Sequence, residues 1–440
     1  MLIEILNEWN LWKKEFNIGF IRRQYLFRLI EYLSANQVVI VTGPRRAGKS
    51  FIMKQAATEL IKSGVQKNNI LMVNFEDPRF QELNVDLLEK IHESYIEFLN
   101  PKGEIFIFLD EVQEIKGWEK WVRMMHELKK AKLIISGSNA NLLSKELGTL
   151  LTGRHLDLTV FPLSFGEFLE FNKVIIRDKL DLINQKIEVQ KRLRQYIEYG
   201  SFPEVVLSEL KKEILFHYFE DVINKDVIQR FKIRKPIELK SLIKFYLSNS
   251  ASLVTSNSLE KFLKISADTI EKFSSYFEQV YLVFMLKRFS FKVKEQEKSP
   301  RKNYSIDTGF SNVLGFRFSE NLGKSVENIV FLSLKRQELE NPLIELFYWK
   351  DELHREVDFL VKKRTKIKEL IQVSWKIEKD KTKDREIKGL IKGMEKLEVD
   401  NGIIITEEYE NEEAFKGKII KFIPLWKWLI DFEWQLNAQH

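Results

Sequence analysis

Two rhythms of apolar and polar positions run along this chain. In the first third, short fully apolar runs alternate with stretches of helical period. "VVIV" (Val38–Val41), "ILMVNF" (Ile70–Phe75), "IFIFL" (Ile105–Leu109) and "KLII" running into Ser136 read as buried strands. The segment from Phe51 to about Gly64 has a helical period. Strands that alternate with helices predict an α/β domain built on a parallel sheet.

Beyond it the pattern turns helical, from Asn184 to Asn249, with breaks at "GSFPE" (Gly200–Glu204) and Pro236. Ser258–Lys264 reads as a short amphipathic helix. Ser266 can cap a second helix over Ala267–Gln279, and Tyr281–Phe289 alternates like a strand. Helix, tight turn, helix and hairpin predict a winged helix. The last stretch predicts a helix at Gly323–Glu338 and strands at Ile344–Trp349, Arg355–Val361 and Glu369–Trp375. A helix at Asp384–Lys396 and a buried strand at Gly402–Thr406 follow. The expected division is an α/β domain over residues 1–172, a helical and winged-helix part over 173–310, and a small α/β domain over 311–440.

Composition narrows the function classes. With 440 residues, 44% of them hydrophobic, the chain can bury two or three cores. The formal net charge of +7 tilts mildly toward a polyanionic partner and fits a solvated surface equally well. Without cysteine there are no disulfides, thiolate zinc sites or cysteine nucleophiles. His92, His126, His155, His217, His354 and His440 show no ligand spacing. No uncharged apolar run reaches the roughly 18 residues of a membrane span. Glu4 and Glu8 replace the basic start of a signal peptide. The expectation is a cytoplasmic protein with no membrane partner.

The chemistry concentrates at "GPRRAGKS", which fits G-x-x-x-x-G-K-[ST] between a strand and a helix. In Gly43, Pro44, Arg45, Arg46, Ala47, Gly48, Lys49 and Ser50, the backbone N–H groups would curl around phosphate oxygens. Lys49 would reach the β- and γ-phosphates and Ser50 would bind Mg²⁺. The third apolar strand, Ile105–Leu109, ends in Asp110 and Glu111. Asp110 would hold the Mg²⁺ shell, and Glu111 would polarise the attacking water. The strand Ile70–Phe75 between the two motifs is the additional strand that separates ATPases from simple kinases. After the next strand, Ser136, Ser138 and Asn139 offer polar groups for the lytic water and the γ-phosphate. Arg154 in "TGRH" would act on a neighbouring subunit's phosphate, which implies a homo-oligomer. Arg22, Arg23 and Arg46 are further cations that would line the nucleotide.

The set "TGPRRAGKS", "FLDEVQ", "ISGSN", "TGRH" and "FPLSFGEFLEF" resembles a family of archaeal and bacterial AAA+-related ATPases with a C-terminal domain of uncharacterised function. "YGSFPEVV", "NKDVIQRF", "YSIDTGF", "GKSVENIVFLSL" and "HREVDFLV" look like that second domain, so the resemblance spans almost the whole chain. It implies ATP and Mg²⁺ as ligands.

The order of elements after residue 311 is similar to the core of PD-(D/E)xK nucleases. There a helix Glu, a strand Asp and a Glu-x-Lys on the next strand cut phosphodiesters with Mg²⁺. Glu327 and Asp358 match that pattern. Gln372 stands where the second acid belongs and Ser374 where the lysine belongs. A neutral glutamine weakens a site for a hard cation, and loss of the lysine removes a charge near the developing phosphorane. Glu356 shares a strand face with Asp358, and Lys376 shares one with Gln372 and Ser374, so both are candidate replacements, with Lys350 a further one.

Seven basic residues between Lys287 and Lys302, in the expected wing, are a candidate DNA contact. The sequence reading is thus an ATPase that binds DNA and carries a degenerate nuclease-like domain. Two alternatives stand beside it: an ATP-dependent scaffold acting on protein partners, and an active metal-dependent nuclease.

Overall fold

The computed structural model describes residues 2–138, 153–315, 322–376 and 380–437. They pack into two units, Met1–Phe161 with Gln279–Tyr281, and Pro162–Glu278 with Leu282–His440.

The first unit is built on a five-stranded parallel sheet. Its strands are β1 (Val38–Thr42), β2 (Ile70–Asn74), β3 (Phe106–Asp110), β4 (Lys132–Ser136) and β5 (His155–Thr159), in the order β2-β3-β4-β1-β5. Each of β1 to β4 is apolar on both faces because helices cover both. Val38, Ile40, Leu71, Val73, Ile107 and Leu109 point into one core. Val39, Val41, Ile70, Met72, Phe106 and Phe108 point into the other. The order places β4 between the two strands that carry the glycine-loop and Asp110–Glu111 motifs.

The second unit holds two sheets. In the first, β6 (Ser252–Val254), β7 (Val283–Leu286) and β8 (Arg301–Ser305) form an antiparallel sheet in the order β6-β8-β7. It is preceded and interrupted by helices Pro236–Ser248, Ser256–Leu263 and Ala267–Gln279. The expected strand over Tyr281–Phe289 is shorter than its pattern, because Tyr281 has φ +61° and only Val283–Leu286 pairs. The expected hairpin wing also carries a short helix at Val293–Lys298.

The other sheet has β9 (Ile344–Lys350), β10 (Glu356–Lys363), β11 (Lys366–Val373), β12 (Asn401–Thr406), β13 (Asn411–Phe415) and β14 (Lys418–Pro424). β9, β10 and β11 form an antiparallel meander, and β12 joins β11 in parallel after the helix Asp380–Lys396. Ile387, Leu390 and Met394 of that helix pack on Val357, Leu370 and Ile404 of the sheet. On β11, burial alone pushes the Glu369 carboxyl up to about 7. A carboxyl whose folded pKa is raised loses stability as pH climbs from the unfolded value through the folded one. Unfolding free energies measured from pH 5 to 8 should therefore fall for the wild type relative to E369Q, by about 1–3 kcal/mol across the range. Parallel pH profiles for the two proteins would refute this.

Two sequence motifs far apart lock together in the second unit. Asp307 accepts hydrogen bonds from Ser201 N and Oγ at 2.7 and 3.0 Å and from Gly309 N at 2.8 Å. Gly200 lies against that carboxylate with φ +74°. Likewise, the Glu433 carboxylate accepts from Ser164 Oγ and Gly166 N at 3.0 Å, and any Cβ on Gly166 would strike it. These contacts explain "YGSFPE", "YSIDTGF" and "SFGEF" as structural fasteners. The sequence boundary at residue 310 separates patterns but not packing. Tyr304 on β8 stacks on Phe331 of the helix Leu322–Glu340, with centroids 4.1 Å apart and planes at 4°.

Candidate functional site: a phosphate loop and a buried carboxylate cluster

The glycine loop joins the end of β1 to the helix Lys49–Lys62. Gly43 has φ +135°, and a side chain there would collide with the Val160 carbonyl, so glycine is required by both torsion and space. Gly48 takes φ +97° immediately before the helix. Lys49 is buried, and its Nζ donates to the Gly43 and Pro44 carbonyls at 3.0 and 3.1 Å. It also lies 3.8 Å from Glu111 Oε1.

Asp110 ends β3. It accepts from the Ser136 hydroxyl of β4, and the Ser50 hydroxyl reaches it as well. Burial and the neighbouring Glu111 charge push the Asp110 carboxyl up, against the pull of Ser136, Ser50 and Lys49. Glu111 holds a left-handed φ of +52°, costly for a side chain with a Cβ, and receives the Gln113 amide. Its backbone N donates to Ser136 Oγ at 3.2 Å. Just beyond β4, Ser138 is 1% exposed, and its Oγ has no hydrogen-bond partner among the described residues. An orphaned buried hydroxyl at this strand end is what a site for nucleotide and its water would leave. Ser50, Asp110 and Ser138 therefore fit Mg²⁺ and a triphosphate. Asn139 lies outside the described residues.

The arginines divide. Arg45 pairs with Glu76 at 2.6 Å, and Arg46 is exposed with φ +68°. Arg23 is exposed. The buried one is its neighbour Arg22, which donates to the Ala47 carbonyl inside the loop at 2.8 Å and lies over Tyr25. Arg154 is exposed and 3.4 Å from Glu127.

The second cluster lies in the other unit. Glu327 and Asp358 do meet, but around an unexpected residue. Lys302 Nζ of β8 is 2.9 Å from Glu327, 2.6 Å from Glu356 and 2.8 Å from Asp358. Tyr304, two residues on and on the same strand face, donates to Glu327 at 2.7 Å. A register shift in β10 between Val357 and Leu360 spans Asp358, and bulges of this kind re-aim side chains. Gln372 sits across from it, accepting from Asp358 N at 3.1 Å and donating to Glu386 at 2.7 Å. Lys376 is exposed and makes no ion pair with these acids, so it does not replace the missing lysine. Lys350 reaches only Glu356, at 3.1 Å. Among the described residues, no group of three or more histidine and acidic side chains is arranged to hold a metal.

The sheet order, the loop and the acidic strand end define an AAA-type P-loop ATPase domain, and a family model described as "AAA domain" matches residues 35–169. Two models, each described as a domain of unknown function (DUF8612 and DUF4143), match residues 190–321 and 322–428. The chain belongs to one family with the uncharacterized protein MJ1544 of Methanocaldococcus jannaschii. The two are 34% identical over 418 residues, 91% of this chain and 90% of the relative. An uncharacterized protein of Haemophilus influenzae is 29% identical over 414 residues, 92% of this chain and 98% of that one. Among solved structures, the Walker-type ATPase PABY2304 of Pyrococcus abyssi covers 67% of this chain and 96% of its own, at 14% identity and TM-score 0.46. Among the described residues, no helix is long and apolar enough to cross a membrane.

Proposed function

We propose that this protein hydrolyses ATP and uses the nucleotide state to drive work through its second unit. The observation that carries the reading is the meeting of Lys49, Ser50, Asp110 and Glu111 at one end of the parallel sheet. Lys49 exchanges its loop carbonyls for β- and γ-phosphate oxygens. Ser50 and Asp110 would hold Mg²⁺, which would neutralise phosphate charge, while Glu111 would orient the attacking water and take its proton. Ser138 supplies a hydroxyl to that water or to the γ-phosphate. Arg22 keeps the loop shaped, and Arg154 is presented to a neighbouring copy of the chain. The direct test is phosphate release by the purified full chain with ATP and Mg²⁺. Absence of turnover at any protein concentration would refute the proposal.

A second reading concerns DNA. The β6–β8 sheet with helices Pro236–Ser248, Ser256–Leu263 and Ala267–Gln279 has the order of a winged helix, and its wing is basic. What supports contact is that Lys294 and Lys298 are exposed and show no ion pair among the described residues, with Phe291 82% exposed beside them. What limits it is neutralisation within the wing. Lys287 and Arg301 pair with Glu297 at 2.5 and 3.3 Å, and Lys292 pairs with Glu295 at 3.2 Å. Lys302 is buried and unavailable to phosphate. Replacing Lys292, Lys294, Lys298 and Arg301 by alanine should therefore flatten the salt slope of DNA binding by about two units rather than four, at about 0.9 per phosphate contact. An unchanged slope would assign the wing to protein contacts alone.

A further inference from the structure

Lys302 stands in the middle strand of the three-stranded sheet, paired on both sides, opposite Leu253 of β6 and Leu286 of β7. Its side chain leaves that sheet and ends among carboxylates from the helix Leu322–Glu340 and from β10. An ammonium has three N–H donors. Here there are three carboxylate partners, at 2.6–2.9 Å. The residue is 3% exposed. Burial works against its charge, but Asp358, Glu327 and Glu356 together hold the ammonium well above its ordinary range.

The acids are equally committed. Glu327 Oε1 accepts from both Lys302 and Tyr304. Asp358 accepts Lys302 on Oδ1 and the Val373 N–H on Oδ2, the latter at 2.9 Å. Glu356 takes Lys302 on one oxygen and Lys350 on the other. Separations of 2.6–2.9 Å suit ammonium–carboxylate pairs; Mg²⁺ draws oxygens to about 2.1 Å. A lysine that assists phosphodiester cleavage needs a free N–H facing an open substrate path. This one has neither.

We propose that the Lys302 ammonium is the resident cation of the Glu327–Glu356–Asp358 cluster, standing where a divalent metal would sit, and that it fastens β8 to the C-terminal sheet in place of hydrolytic chemistry. The proposal rests on this geometry and holds whether or not the domain descends from a nuclease. A buried charge cluster of this kind contributes little net stability but is severe to break, since losing one partner strands the others. It also dictates which strand docks where, because only a cation at position 302 satisfies three acids at once.

The test uses the full chain. In the wild type, Mn²⁺ binding followed by electron paramagnetic resonance should be the same as in D358N, because the cluster takes no metal. K302M should lower the unfolding midpoint by roughly 10 °C. Neutralising the acids in K302M/E327Q/D358N should recover most of that loss, because the penalty is stranded negative charge. K302A, which leaves both the acids and space, should gain Mn²⁺ binding and be stabilised by it. The proposal falls if the wild type binds more Mn²⁺ than D358N, or if Mn²⁺-dependent DNA cleavage appears and is lost in K302A. The first result would show that the acids hold a metal, and the second would make Lys302 a catalytic lysine. It also falls if the triple variant is no more stable than K302M. The comparison of wild type with D358N does not use K302M, so a failure of K302M to fold leaves the proposal decidable.

Discussion

Glu111→Gln is expected to retain ATP and to lower its turnover by about 10²- to 10⁴-fold, the usual contribution of positioned proton transfer. The substitution keeps shape and the Lys49 neighbourhood and removes only the group that takes the water's proton. The strained φ of +52° at Glu111 holds its carboxylate beside Lys49, 3.8 Å away, rather than letting it turn to solvent. Lys49→Ala should behave differently. It removes the cation that compensates phosphate charge, so both nucleotide affinity and turnover should fall. Equilibrium binding of labelled ATP beside single-turnover hydrolysis separates the two outcomes. Ordinary turnover in Glu111→Gln would show that another base acts. The same assay reads Arg154. If it serves a neighbour's phosphate, mixing Arg154→Ala with Glu111→Gln chains should restore part of the activity, since some interfaces then pair an intact arginine with an intact glutamate.

The nucleotide site was legible because its information is local. Gly43 to Ser50 is one contiguous loop, and Asp110–Glu111 is the end of one apolar strand. The extra apolar run at Ile70–Phe75 was read as an additional strand between the two motifs, and the strand it forms pairs with β3 in parallel. Arg22 was harder to choose over Arg23, since nothing in "IRRQY" distinguishes them until the helix beginning at Arg23 turns one inward and the other outward.

The carboxylate cluster was legible only in part. Glu327 and Asp358 were found from their place in the element order, and Gln372 from its facing strand. Lys302 was missed because it lies in a run of basic residues that reads as one solvated wing. Its partners are 25 and 56 residues away. The available signal was the alternation in "RKNYSI", which puts Lys302 and Tyr304 on one strand face. A lysine sharing a face with a buried tyrosine is a candidate for an internal ion pair. Lys376 looked equally placed by period, but β11 ends at Val373 and the alternation no longer applies beyond it.

Gly200→Ala should be the most destabilising single-methyl change in the second unit, costing at least about 3 kcal/mol. Two independent penalties coincide. The backbone at Gly200 has φ +74° and ψ −154°, a region that is essentially glycine's alone. The new Cβ would also overlap the Asp307 carboxylate, which is fixed by Ser201 and Gly309 and cannot retreat without giving up those bonds. Burial pushes that carboxyl up to about 6, so it already sits near the edge of protonation at neutral pH. Asp307→Asn separates the penalties. It keeps the side chain's size while weakening the charge-assisted bonds, so it should cost less than Gly200→Ala. If the collision matters, Gly200→Ala in a background of Asp307→Gly should recover part of its loss relative to Asp307→Gly alone; if torsion alone matters, the two losses should add. Midpoints of chemical denaturation for the four proteins decide between these outcomes, and a wild-type midpoint in Gly200→Ala would overturn both.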